Sequence, residues 1–82
     1  MQRILVKYRI HDNENDYSSF TLIYNRQCPN CTDRVVDEWF KGWFGPKEKD
    51  GLYHFGDRNA NILWQIIISE EQEKLLLELD II

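Results

Sequence analysis

Long apolar runs are missing from this chain. Stretches such as Ile66 to Ile68 and Leu75 to Leu77 fall far short of the roughly 20 residues needed to cross a bilayer, which excludes a membrane-spanning helix. The opening MQRILVKYRI alternates charged and apolar residues and lacks the continuous apolar stretch of a signal peptide, so the expected setting is cytoplasmic and soluble. Cysteine is scarce. Two thiols in a chain read as intracellular are expected to be reduced, and three Trp, four Phe and four Tyr supply enough apolar area that folding needs neither a disulfide nor a metal. Basic residues are in the minority, ten against 14 acidic. The net charge of −4 opposes non-specific attraction to nucleic acid or an anionic membrane. No G-x-x-x-x-G-K-[ST] phosphate loop and no H-E-x-x-H metal helix occurs.

What is present fits one domain over residues 1–82, small enough that roughly 60% of the unfolded chain's surface is buried on folding. From Arg3 to Ile10, the residues Ile4, Val6, Tyr8 and Ile10 alternate with Arg3, Leu5, Lys7 and Arg9, the pattern of a half-buried strand. The polar HDNENDYSS reads as a long hairpin loop. Phe20, Leu22 and Tyr24 then restore the alternation opposite Thr21 and Ile23. Thr32 is placed to cap a helix whose apolar arc centres on Val36, Trp39 and Trp43, with Val35 and Phe44 at its edges, and Gly45–Pro46 stops it. Residues 52–55 and 62–68 are strand candidates separated by the turn formers GDRNAN. Ser69 and Gln72 have capping-box spacing ahead of Leu75, Leu76 and Leu79. The order is ββαββα, an α+β two-layer sandwich with an antiparallel sheet and both helices on one face. Ile4, Val6, Tyr8, Phe20, Leu22 and Tyr24 are then expected beneath the helices, leaving Arg3, Lys7, Arg9 and Thr21 on the other face.

The segment QCPNCTD carries the one chemical candidate. C-x-x-C at a strand-to-helix junction suits thiol chemistry because a helix N-terminus stabilises a thiolate. The stretch TLIYNRQCPNCTDRVV resembles the strand, C-P-x-C turn and helix start of glutaredoxin-like proteins, over about 16 of the 82 residues. That resemblance implies Cys28 as the attacking and Cys31 as the resolving cysteine, with an external thiol such as glutathione and no other cofactor. The chain departs from the family in having no proline after Pro46 and no crossover helix between Phe44 and Leu52. A zinc site built from Cys28, Cys31, His11 and His54 lacks the closely spaced second ligand pair of ordinary zinc modules, so no metal is expected. The plainest reading makes the two cysteines small residues packed at a tight junction.

Two surfaces remain. Phe44 at a helix end, with Leu77 and Ile81 among the charges of the last helix, are candidate partner-binding anchors. Arg3, Lys7 and Arg9 form a candidate phosphate-binding stripe, opposed by the acidic balance and by the inward direction expected of Tyr8 and Tyr24. The sequence is therefore read as a non-enzymatic binding module, a regulator, adaptor or inhibitor acting through protein contacts. A glutaredoxin-like oxidoreductase and a nucleic-acid-binding sheet face are the alternatives. Homodimerisation through an exposed strand edge is a further possibility.

Overall fold

The computed structural model describes all 82 residues. The elements follow the expected order: β1 (Gln2–His11), β2 (Asp16–Asn25), a 3₁₀ turn at Pro29–Cys31, α1 (Thr32–Phe44), β3 (Tyr53–Phe55), β4 (Arg58–Ile68) and α2 (Glu70–Glu78). The four strands form one antiparallel sheet in the order β2-β1-β4-β3. The fold is α+β, and no helix is long and apolar enough to cross a membrane.

The first hairpin is tighter than the polar composition of residues 11–19 implies. Asp12 accepts hydrogen bonds at Oδ1 from the backbone N–H groups of Glu14 and Asn15, and its own N–H donates to the Asn15 carbonyl. The loop therefore closes in four residues, and His11 pairs with Asp16. This register sets Ile4 opposite Ile23, Val6 opposite Thr21 and Leu5 opposite Leu22. Directly opposed residues of an antiparallel pair share a face, so every β2 side chain lies on the face opposite to the one expected. Ile23 and Asn25 join the core, while Phe20, Leu22 and Tyr24 share the other face with Arg3, Leu5 and Lys7.

The second hairpin is also tighter than expected. Phe55 pairs with Arg58 across the two residues Gly56 and Asp57, with Gly56 at φ 63°, so Arg58 to Asn61 belong to a strand rather than a turn. Ser69 caps α2 through the anticipated box: its side chain accepts from the Gln72 N–H, and Gln72 answers to the Ser69 N–H. Cys31, not Thr32, stands at the α1 N-cap position. The Thr32 hydroxyl instead donates toward Gln2 and the Pro29 carbonyl. Gly45 ends α1 at φ 84°, where a Cβ would fall on the His54 carbonyl oxygen, so only glycine fits.

α1 covers one face. Val36 and Phe40 reach the sheet among Ile4, Val6, Ile10, Ile23, Tyr53 and Ala60, and Phe40 packs edge-on against Tyr8 at 5.5 Å between ring centres. α2 does not join it there, a departure from the arrangement with both helices on one face. It is fastened through Glu73, which accepts from Arg3 Nε at 3.1 Å and from the Tyr24 hydroxyl, and Arg3 and Tyr24 are cross-strand partners on the other face. The physical reason is occupancy. At that end of the sheet the 3₁₀ turn and the start of α1 are already bonded to Gln2. α2 buries none of its residues and crosses one end of a face that is otherwise open.

Candidate functional site

The cysteines lie at the joint between β2 and α1. Asn25, 3% exposed, donates from Nδ2 to the Cys28 carbonyl at 2.8 Å and to Gln2 Oε1 at 2.7 Å, while its Oδ1 accepts from the Gln27 N–H. A buried amide thus fixes the turn, as a buried polar group must when all its bonds are made. Cys28 and Cys31 are joined in a disulfide across this turn, both half-buried. The expectation of two reduced core residues is corrected on that point: the 3₁₀ turn brings the Cα atoms to 5.3 Å, within bridging distance. Arg34, one turn into α1, donates from Nη2 to Cys31 Sγ at 3.4 Å and to Gln27 Oε1 at 2.7 Å.

The parallel strand–helix–strand unit implied by the glutaredoxin-like resemblance is not formed, because β2 is an edge strand that pairs antiparallel with β1. The histidines stand far from the sulfurs. His11 is beside Asp16 at the opposite end of β1 from Gln2, roughly 30 Å along the strand at 3.3 Å per residue. His54 pairs with Asp50 at 2.9 Å.

The larger feature is the open face. Leu5 lies at its centre, flanked by Leu22 and Ile66, and beside this row Phe20 meets Trp64 with tilted rings, 5.8 Å between ring centres. Leu63, Trp64 and Ile66 are exposed. The basic stripe frames this surface, but its charges are largely engaged. Arg3 pairs with Glu73 and Glu70, Arg9 pairs with Asp16, and the Lys7 ammonium lies 5.5 Å from the centre of the Phe20 ring. The Tyr24 hydroxyl, and then Arg3, hold the Glu73 carboxyl below the usual glutamate range. Arg9 lowers Asp16 in the same way.

The proposed partner anchors divide. Leu77 and Ile81 are exposed on and just beyond α2, at the end of the open face. Phe44 belongs to the covered side, where it packs against Tyr8, Phe40 and Phe55. Trp43, expected in the core, is 69% exposed and rests its ring on Trp39. The helical arc explains the exchange. Phe40 and Phe44 follow each other at i, i+4 toward β1 and β3, whereas the covered face of β2 offers only Thr21 and Ser19 opposite Val6 and Tyr8. Trp64 and Ile66 were not singled out by pattern. Their signal is that residues 62–68 are apolar on both faces of a strand, in a fold with one principal covering layer.

Between α1 and β4 runs a groove of about 860 Å³ whose polar groups are mostly paired off. Asp37 binds the Tyr53 hydroxyl at 2.6 Å and Lys41 at 2.9 Å, and Asp33 accepts from Gln65 at 2.8 Å. Burial and then Asp37 push the Tyr53 phenol well above its ordinary pKa, and the Tyr53 bond, followed by Lys41, holds Asp37 low. This is a structural ion network spanning helix and strand. Comparison of the chain with protein-family models, curated proteins and solved structures finds no match.

Proposed function

We propose that this protein is a non-enzymatic binding module that docks a partner protein on the open sheet face. The observation that carries this reading is the apolar surface of Phe20, Leu22, Trp64 and Ile66, left uncovered by the chain's own helices and rimmed by polar and charged residues. Surfaces of this composition, aliphatic and aromatic side chains within a polar rim, are those on which partners dock. Two of the three basic residues are already neutralised and the chain is acidic, so the face favours an apolar protein surface over phosphate. Leu77 and Ile81 extend the contact at the α2 end. The test compares Trp64→Glu with Trp43→Glu, a charge placed on an exposed Trp of each face, in affinity capture from the source cell. Proteins retained by the wild type and by Trp43→Glu should be lost with Trp64→Glu; an identical set retained by all three refutes the reading.

A second reading rests on the disulfide. An external thiolate attacking Cys28 forms a mixed disulfide and releases Cys31 as a thiolate, which Arg34 and the α1 N-terminus stabilise. A second external thiol then displaces Cys28, so two thiols become one disulfide while the protein pair is reduced. Incubation with glutathione disulfide should trap the mixed species in Cys31→Ser, where the Cys28 thiolate attacks one glutathione sulfur and releases the other as a thiol, and not in Cys28→Ser. Equal trapping in both, or in neither, removes this reading.

A further inference from the structure

β4 has two edges, and only one is fully used. From Asn59 to Ile68 it pairs with β1, interrupted only at Leu63, but on the other side β3 reaches only Arg58, Asn59 and Ala60. The remaining eight residues, NILWQIII, present alternate backbone N–H and C=O groups without a strand partner. Such an edge is a template for another strand, and folded proteins ordinarily protect it with charge, proline or a covering element. Here it carries no charged residue and no proline, and Ile66 and Ile67 are 55% and 52% exposed on its two faces.

We propose that a second copy of this chain occupies the edge, its β4 pairing antiparallel with the first about a two-fold axis at Ile66. The net charge of −4 opposes contact between two copies over most of their surface, and this uncharged strip is where that repulsion is weakest. Two observations then point to a copy of the same chain. A two-fold contact opposes a patch to itself, which an uncharged strand tolerates and a charged one does not. The register also closes. The β4 bulge lies at Leu63, opposite the step between Lys7 and Tyr8, and from Trp64 to Ile68 the side chains alternate without interruption. Centring on Ile66 pairs Trp64 with Ile68 and Gln65 with Ile67 of the other copy. Like faces then meet like faces, and the incoming strand ends before it reaches β3. The free chain exposes 5675 Å², against roughly 5,200 Å² expected of a monomer of this mass. Pairing by the edge leaves the open face of each copy accessible and joins the two into one continuous surface. The dimer therefore stands independently of whether a further partner docks there.

Sedimentation equilibrium of the wild-type chain over a hundredfold concentration range is the test, with Ile66→Lys as the variant that sets two ammonium groups against each other at the axis. The wild type should approach twice the 9.9 kDa chain mass, and Ile66→Lys should remain at the single-chain mass with an unchanged far-ultraviolet circular dichroism spectrum. Amide exchange on the wild type gives an answer that does not depend on the variant folding. Outward-facing amides between Trp64 and Ile68 should be protected at high concentration and lose that protection on dilution. A single-chain mass at every concentration overturns the proposal. So does a dimer that survives Ile66→Lys, or open-ended assembly beyond two copies.

Discussion

On the covered face, Phe40 lies at 0% exposure with Tyr8, Tyr53 and Trp39 around its ring. On the other, Trp64 packs at a tilt against Phe20 and stays 42% exposed. Both faces of the same four strands carry large apolar side chains, so composition does not separate them. The difference is the depth of helix above each. α1 has an apolar stripe at i, i+4 spacing that runs from β2 to β3, whereas α2 holds its end of the sheet through the polar head of Glu73 and leaves Leu75, Leu77 and Leu79 in solvent. One face is closed by packing and the other is tied by hydrogen bonds. Apolar surface left free in this way is available for association.

The sharpest way to break this contrast is to truncate one side chain on each face. Phe40→Ala should lower the unfolding free energy by about 3–5 kcal/mol in urea titration, because it empties the centre of the core. Trp64→Ala should cost about 1 kcal/mol or less, since much of its ring is already hydrated. Asn25→Leu comes next. It removes the buried amide's three bonds, to the Cys28 carbonyl, Gln2 Oε1 and the Gln27 N–H, and leaves the first two held only by the Cys31 N–H and the Thr32 hydroxyl, for a loss of about 1–3 kcal/mol in the same titration. Opening the disulfide, by reduction or by the double serine substitution, should cost no more than about 2 kcal/mol because the closed loop is only four residues long. A far larger loss would mean that the turn, and with it the α1 docking, depends on the covalent link.

Acid should act first on the open face. The Glu73 pKa is depressed by the Tyr24 and Arg3 bonds, so its stabilising contribution is complete above the ordinary glutamate value of 4.5. It is lost as pH falls through the lower folded value. Amide exchange in α2 should accelerate over that window ahead of exchange in α1, and Glu73→Gln should show fast α2 exchange at neutral pH. α2 exchange that tracks α1 throughout would show that packing, not the Glu73 tether, holds this helix. The smallest effect belongs to Trp43→Ala, expected within about 0.5 kcal/mol of wild type because the side chain caps the covered layer from outside.

Much of the architecture could be read directly from the residues. Alternation in β1, the capping box at Ser69 and the Gly45–Pro46 stop each depend on a local rule, and each held. The errors arose where a single residue of offset matters. A four-residue loop pinned by Asp12 inverted β2 and moved Phe20, Leu22 and Tyr24 to the open face. A two-residue turn at Gly56 and Asp57 lengthened β4 well beyond the reach of β3. In α1 the periodicity placed Trp43 in the middle of the apolar arc, but helical spacing says nothing of where the sheet beneath it turns polar.

The number, type and order of the elements, the core of β1, and a C-x-x-C pair at the start of a helix were legible in the residues alone, because propensity, capping and periodicity act over a few neighbouring residues. It took the folded arrangement to show which face of β2 is buried, that α2 crosses the far side of the sheet, that Cys28 and Cys31 are bridged, and that eight of the eleven β4 residues have no strand along their outer edge. Those outcomes follow from strand register and from competition for one face of the sheet, which are settled by contacts between residues distant along the chain.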